Sequence, residues 1–314
     1  MKIIISGSFG HIGSFLIEKL QNDKRFKSIT LIDNFQTQRF TSYLKLKKSK
    51  FKLVDQNINH LNFKLLNENY DFFIHLAAIT NAAESFRIKK LIHKNNFGGT
   101  KKVVDFCKRK KIPLIFPSST SVYGKKFSII NSSNNMSNLF AQSPYAKTKI
   151  DEEKYIKKKL KKFIILRLGT IVGVSNGMRF HTAVNKFCFQ TSLDQPLTIW
   201  RKFYHKKRPY LTLNDFYKCF NFIIKKRYFS NETLDVVTKN YTVKEIISFI
   251  ENFKKTKKKF VNTEILNQNS YEVISDKLIN LGIKFDKDIK KDILKTLKLL
   301  LIKNFQKLLT KAVI

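Results

Sequence analysis

Apolar residues along this chain fall in short blocks cut by polar turns, and the blocks alternate between two periods. Lys2–Ser6, with Ile3, Ile4 and Ile5 in an unbroken apolar run, has the pattern of a buried strand. Residues 14–20 then space Phe15, Leu16 and Leu20 as a helix does. Further strands are predicted at Ser28–Asp33, 51–54, 70–76, 113–116 and Phe163–Leu168. A helix is predicted over 94–110, with Val103, Val104 and Phe106 turned inward, and another opens at Pro144, whose fixed φ suits a first helical turn. Strands alternating with helices in this way predict a parallel, doubly wound α/β sheet.

After residue 173 the pattern loosens. A loop leading into a helix is predicted over 175–187, short strands over 196–200, 206–215 and 233–237, and a helix over 216–226. Thr242 is placed to cap a helix running to about Phe253, and one more helix ends near Leu281. Apolar positions at 289, 293, 297, 301, 305, 308 and 312 predict a C-terminal helix. The domain expectation is a nucleotide-binding unit over 1–173, with 206–240 returning to it. Residues 174–314 would form mainly a smaller substrate-binding α/β unit.

Composition changes this picture little. The chain has 314 residues and is 43% hydrophobic, enough for a real core, and no apolar run reaches the length of a membrane span. Ile3, Ile4 and Ile5 run straight into a glycine turn, too short for an export signal. Cys107, Cys188 and Cys219 are odd in number and far apart, which suggests neither a disulfide framework nor a zinc site. The cytoplasm is expected, and no metal. The net charge of +38 fits an RNA or an anionic membrane surface as partner, or simply the coding bias that also crowds the chain with Asn, Ile and Phe. No single arm or stripe collects the lysines, so a nucleic-acid partner is not expected. The basic C-terminal helix could lie weakly on a membrane surface or pack on the core with its lysines in water.

Candidate chemistry sits at the strand ends. Gly7, Gly10 and Gly13 separate the first strand from its helix, as in turns that let backbone approach a pyrophosphate at a helix N-terminus. The second strand ends at Asp33, about 20 residues further on, where a carboxylate meets adenosine ribose hydroxyls and repels a 2′-phosphate. NAD is therefore expected rather than NADP, although Arg39 is near. Leu76, Ala77 and Ala78 at a strand end let a ligand lie close, and hydroxyls cluster over 118–121. Tyr145 and Lys149 are four apart, one turn on a helix face, and an ammonium beside a phenol favours phenolate. Tyr43–Lys47 and Tyr155–Lys159 share that spacing. Only Tyr145 opens a helix between the hydroxyl-rich strand end and the next strand.

Taken in order, these motifs resemble the extended short-chain dehydrogenases/reductases, in particular the nucleotide-sugar epimerases and dehydratases. The resemblance runs through Gly7-x-x-Gly10-x-x-Gly13, Asp33-Asn34, His75-Leu-Ala-Ala, Asn96-x-x-Gly99-Thr100, Ser118-Ser-x-x-Val122-Tyr-Gly124, Tyr145-x-x-x-Lys149, Arg167 with Gly173, Arg208-x-Tyr210 with Asp215, and Ser275-Asp276-Lys277 with Leu281-Gly282. It implies a Rossmann sheet, bound NAD and a nucleotide-diphosphate sugar as substrate. Tyr145 would be the general acid/base, Lys149 would hold the nicotinamide ribose and lower the tyrosine pKa, and Ser119 would bond the same sugar oxygen. Cofactor contacts would come from Gly7, Gly10, His11, Ile12, Gly13, Asp33, Asn34, Asn57, Ile58, Leu76, Ala77, Ala78, Asn96 and Leu168, with Tyr145 and Lys149. Substrate contacts would come from Thr80, Thr120, Thr170 and Arg208, with Arg179 and Lys186 on the same anion.

The departures are specific. Gln56-Asn57-Ile58 stands where the family often has Gly-Asp-Ile, and Thr80 matches the substrate-side lysine of some galactose epimerases. Thr120-Ser121 replaces the Asp-Glu pair of sugar 4,6-dehydratases, which argues against elimination of water. The expected function is NAD-dependent nucleotide-sugar epimerisation in surface polysaccharide precursor synthesis, by a homodimer paired through helices near 94–110 and 145–160. Dehydration, reduction or decarboxylation on the same scaffold stays open, as does, from another class, an RNA-binding protein derived from this fold.

Overall fold

The structure, a computed structural model, describes residues 1–46, 48–123, 129–131, 139–262 and 270–301. In chain order the first half runs β1 (Lys2–Ser6), α1 (His11–Leu20), β2 (Ser28–Asp33), α2 (Thr41–Leu44), β3 (Phe51–Asp55), β4 (Phe72–His75), α3 (Lys89–Lys110), β5 (Leu114–Ser119), β6 (Ile129–Asn131), α4 (Pro144–Lys159), β7 (Phe163–Leu168) and β8 (Thr170–Val172). The second half runs α5 (Ala183–Ser192), β9 (Leu197–Trp200), β10 (Lys207–Thr212), α6 (Leu213–Lys226), β11 (Glu232–Val236), β12 (Lys239–Thr242), α7 (Val243–Glu251), β13 (Lys258–Val261), β14 (Glu272–Ile274), α8 (Asp276–Asn280) and α9 (Lys290–Leu300).

Seven parallel strands form one sheet in the order β11-β7-β5-β4-β1-β2-β3. The order reverses between β1 and β4, the switch point at which open α/β sheets bind ligands. The unbroken apolar run of β1 has a direct cause: both faces are covered. Ile3 and Ile5 face a core with Leu16 and Leu20 of α1 and Phe216 and Phe220 of α6. Ile4 faces the opposite core, with Val103 and Phe106 of α3 and Ile156 of α4. Burying each such side chain stabilises the fold by roughly 1.5–3 kcal/mol.

Smaller sheets cover the carboxyl edge of the large one. β12-β10-β8 make three strands, and β13-β9 and β14-β6 are pairs. A third core joins Val184 and Phe187 of α5 to Ile246 and Ile250 of α7 and to Ile293 and Leu297 of α9. Within 206–240, β10 belongs to the three-stranded sheet, α6 covers the large sheet, and β11 joins that sheet beside β7.

Some boundaries differ from the sequence pattern. β5 runs on to Ser119 because β7 pairs with it as far as Leu168, so Ser118 and Ser119 lie on strand rather than loop. α3 begins at Lys89, and Asn96 is therefore inside it. α6 begins at Leu213 because Thr212 caps it through the Asp215 amide. Ile289, just before α9, and Ile293 and Leu297 within it are fully buried, so this part of the apolar stripe is committed to the core. Positions 305, 308 and 312 of that stripe, like Lys47 and Gly124, lie outside the described residues. Among the described residues no helix is long and apolar enough to cross a membrane.

Candidate active site

A cavity of about 390 Å³ opens at the carboxyl ends of β1, β4, β5 and β7. Its far wall comes from α5, β9 and β10. The β1–α1 turn forms one end. Gly7 takes φ +68° there, and a Cβ on it would lie 2.5 Å from the Ala77 backbone nitrogen. A Cβ on Gly13 would lie 2.4 Å from the Ser8 carbonyl. Both glycines are there for close backbone packing. Gly10 differs: a Cβ there would meet only the Gly7 carbonyl at 3.3 Å and the Arg179 guanidinium at 3.6 Å. His11 donates from Nε2 to the Gly173 carbonyl, 2.8 Å away. Burial, helped by Arg179, Arg39 and His181 and opposed by that hydrogen bond, lowers the His11 pKa to about 4. His11 is therefore a neutral strut near pH 7.

A strap over 175–179 locks this turn. The Gly177 amide donates to Ser14 Oγ at 2.9 Å, and Ser175 donates to the His11 carbonyl at 2.8 Å. A Cβ at Gly177 would lie 2.4 Å from the Phe9 carbonyl. The strap delivers Arg179 into the cavity, where Nη1 donates to Thr80 Oγ1. Arg179 Nε and Arg39 Nη1 are buried N–H groups without an acceptor in the protein. Burial, with Arg39 beside it, lowers the Arg179 pKa to about 10, against the pull of Tyr145 and Asp33. A turn open at Gly10, faced by guanidinium donors, fits the diphosphate of a dinucleotide.

Tyr145 lies on the opposite wall. Ser143 caps α4 by accepting from the Ala146 amide at 3.1 Å, and Pro144 occupies the first turn. This fixes Tyr145 and Lys149 one turn apart, both buried and both lining the cavity. The Lys149 ammonium sits 4.4 Å from the Phe116 ring centroid and 6.0 Å from that of Tyr145. Burial raises the Tyr145 pKa; Lys149, Arg179 and a hydrogen bond with Ser119 act the other way, and Glu152 adds to the rise. The net shift is upward, so the phenol is the resting form. The other two tyrosines are elsewhere. Tyr155 donates to Asp105 between α4 and α3, 3.0 Å away, and Tyr43 is exposed at 41% against Phe9 and Phe35.

The structure brings together most of the expected residues. Gly7, Gly10, His11, Ile12, Gly13, Leu76, Ala78, Thr80, Ser119, Thr120, Tyr145, Lys149, Leu168, Thr170, Arg179, Lys186 and Arg208 all line the cavity. Asp33, Asn34, Asn57, Ile58, Ala77 and Asn96 do not. Asp33 accepts from the Phe9 and Phe35 amides at 2.9 and 3.0 Å, holding the rim of the glycine turn. Asn34 and Asn57 accept from backbone amides two residues on, Gln36 and Asn59. Ile58 is buried against Gly99, and Ala77 packs on Gly7. Asn96, 1% exposed, bonds both the amide and the carbonyl of Ile79, at 2.8 and 2.9 Å, and so holds the segment carrying Ala78 and Thr80.

Sequence reasoning gave no site role to three features. His75 lines the cavity, with Nδ1 2.7 Å from Ser6 Oγ. Burial and then Lys149 lower its pKa to about 3. Trp200, Phe203 and Tyr271 make an aromatic end, where the Arg208 guanidinium lies 4.7 Å from the Tyr271 ring. Glu152 sits 3.0 Å from Lys149, three residues along α4, a spacing that would have revealed it. The cavity lining carries Lys149, Arg179, Lys186 and Arg208 but no carboxylate among the described residues.

Comparison with known proteins points the same way. A protein of Bacillus subtilis (strain 168) described as an uncharacterised UDP-glucose epimerase is 28% identical over 267 residues, 80% of this chain and 81% of its own. A dTDP-D-glucose 4,6-dehydratase of Dictyostelium discoideum is 32% identical over 193 residues, 55% of this chain and 44% of its own. The fold matches a UDP-glucuronic acid 4-epimerase from Bacillus cereus, crystallised with UDP-glucuronic acid and NAD. The TM-score is 0.87 at 23% identity, over 96% of this chain and 99% of the other. The sequence model of the NAD dependent epimerase/dehydratase family matches residues 3–236, from β1 to the last strand of the large sheet. The chain therefore belongs to the NAD-dependent epimerase/dehydratase family.

Proposed function

We propose that the protein inverts one hydroxyl-bearing carbon of a UDP-hexose or UDP-hexuronic acid, with NAD as a recycled cofactor. The observation that carries this reading is the wall formed by Tyr145, Lys149 and Ser119, set across one cavity from the glycine turn. NAD, when bound, takes a hydride from the sugar carbon and returns it. The chain's own residues do the rest. In its ionised form, which a hydrogen bond from Ser119 and the charge of Lys149 favour, Tyr145 takes the hydroxyl proton and becomes a phenol, and it gives that proton back when the hydride returns. The glycine turn with Arg179 and Arg39 suits the cofactor diphosphate, and Asp33 the adenosine ribose. Arg208 and Lys186 suit the nucleotide diphosphate of the substrate.

Dehydration is disfavoured because it needs a carboxylate acid/base, and the described lining has Thr120 and Ser121 at that place and no acid elsewhere. The excess of cations over acids favours the hexuronic acid among the candidate sugars, and the Bacillus cereus enzyme was crystallised with such a substrate. In the same reading, 1–173 with α6 and β11 is the cofactor domain, and the remainder carries the substrate. Two copies pair through α3 and α4, which sedimentation analysis checks. Assignment to the cytoplasm is supported by the three free cysteines, and a role in polysaccharide precursor synthesis by the family resemblance. The deciding experiment incubates the protein with UDP-glucose, UDP-N-acetylglucosamine and UDP-glucuronic acid separately and follows each by proton NMR. A C4-inverted product in one arm is the expected result; a 4-keto-6-deoxy or decarboxylated product, or no change in any arm, overturns the proposal.

A further inference from the structure

Lys149 is expected to lean toward the cavity, yet the group nearest to its ammonium is a second buried side chain behind it. Glu152 Oε2 lies 3.0 Å from Lys149 Nζ, with side-chain exposures of 1% and 4%. The other oxygen, Oε1, accepts from Thr100 Oγ1 of α3 at 2.6 Å. The pairing with Lys149 is one of charge and proximity rather than an aligned hydrogen bond. A buried ion pair of this kind is a poor source of stability, since desolvating two charges offsets most of their attraction. Its position is more informative: it touches the Lys149 ammonium, which sits beside the phenol proposed as the base.

We propose that Glu152 is a positioning residue for the catalytic pair. Its carboxylate neutralises Lys149 from behind and so sets the pH at which Tyr145 releases its proton. This rests on the proposed role of Tyr145 as base. The groups facing the pair leave Glu152 as the unbalanced charge. On α4, Glu153 is already held by two hydrogen bonds from Arg167. From β4, His75 is neutral near pH 7, since burial and then Lys149 lower its pKa to about 3. From β5 come the Phe116 ring and the Ser119 hydroxyl, both uncharged. From the strap comes Arg179, a cation that works with Lys149. From α3 comes Thr100, which holds Glu152 in place. With Glu152 charged, the Lys149 ammonium is already neutralised from behind when Tyr145 ionises; without it, the full charge of Lys149 faces the phenolate.

The test reads the phenol directly. Protein carrying ¹³Cζ-tyrosine, purified with its bound cofactor, is titrated by NMR, and Tyr145→Phe identifies the resonance among the 11 tyrosines. Glu152→Gln is expected to lower the Tyr145 midpoint by about one pH unit or more, the effect of one charge a few ångströms away in a protein interior. The acidic limb of the kcat–pH profile should move with it. Glu152→Asp keeps the charge but withdraws it, and should lower the midpoint by a few tenths of a unit. A midpoint unmoved in Glu152→Gln, with or without an even loss of rate at all pH values, overturns the proposal. If Glu152→Gln fails to fold, Glu152→Asp decides on the same criterion. The titration needs no sugar, so a protein inactive on every nucleotide sugar would still give this answer.

Discussion

In the proposed mechanism Tyr145 is the base, and only its setting lets it serve as one. Burial works against ionising it, and Lys149, Arg179 and Ser119 work for it. Replacing Tyr145 with Phe removes the proton acceptor while leaving the ring in its place. We expect kcat to fall by roughly 10³-fold or more, with bound NAD retained through the distant glycine turn. Turnover assays and the cofactor absorbance of the purified variant check both halves. A variant that keeps its rate would remove Tyr145 from the mechanism. The four-residue spacing to Lys149 was legible, because helix geometry makes it so. The net upward shift was not, since it depends on how completely α4 is covered.

Elements carry the site through their ends. α4 starts where it does because Ser143 caps it and Pro144 follows, which sets the height of Tyr145 above β5. Ser143→Ala should cost about 1 kcal/mol in urea unfolding and loosen that height. The strap over 175–179 is the second such device. Gly177→Ala would force a Cβ to within 2.4 Å of the Phe9 carbonyl, which is backbone and cannot yield cheaply. A loss of about 1–3 kcal/mol is expected, with weakened NAD retention, because the strap locks the glycine turn. Gly282→Ala is the control: nothing lies within 4 Å there, and only its φ of +90° opposes the change. Differential scanning calorimetry and cofactor retention on the two variants separate local strain from loss of the lock.

Across the whole molecule, one buried network ties the sheet beneath the site. Ser118 of β5 donates to Glu153 of α4 at 2.5 Å, Arg167 of β7 holds both Glu153 oxygens, and Arg167 donates to Tyr123 Oη at 2.8 Å. Tyr123 in turn donates to Asp235 of β11 at 2.7 Å. Burial, with Glu153 and Asp276 adding, raises the Asp235 pKa to about 7 against Tyr123 and Arg167. An acid with a raised folded-state pKa binds more protons folded than unfolded. Its stabilisation is present at low pH and is lost as pH climbs from about 4 to about 7. The loss is about 4 kcal/mol, and Asp235→Asn should remove it. Urea unfolding at pH 5 and pH 8 is the measurement; the variant should gain on the native protein between those two values, and equal differences at both would refute the assignment.

The sequence by itself determined the order of strands and main helices in the large sheet, the glycine turn, the Thr242 cap and the tyrosine–lysine spacing. These depend on local sterics and on which faces must be apolar: Ile3, Ile4 and Ile5 are all buried because both faces of β1 are covered. The C-terminal stripe was equally legible, but a membrane surface and a protein core attract the same apolar residues, and for its described part, Ile289, Ile293 and Leu297, only packing against α5 and α7 chose the core. Tertiary structure alone decided what stands around each charge. Asn96 turned from the cavity to clamp Ile79, Arg179 reached the glycine turn through the strap, and Glu152 came to rest on Lys149. Charge pairing across elements depends on distances of a few ångströms between residues far apart in the chain, and no period or motif encodes those distances.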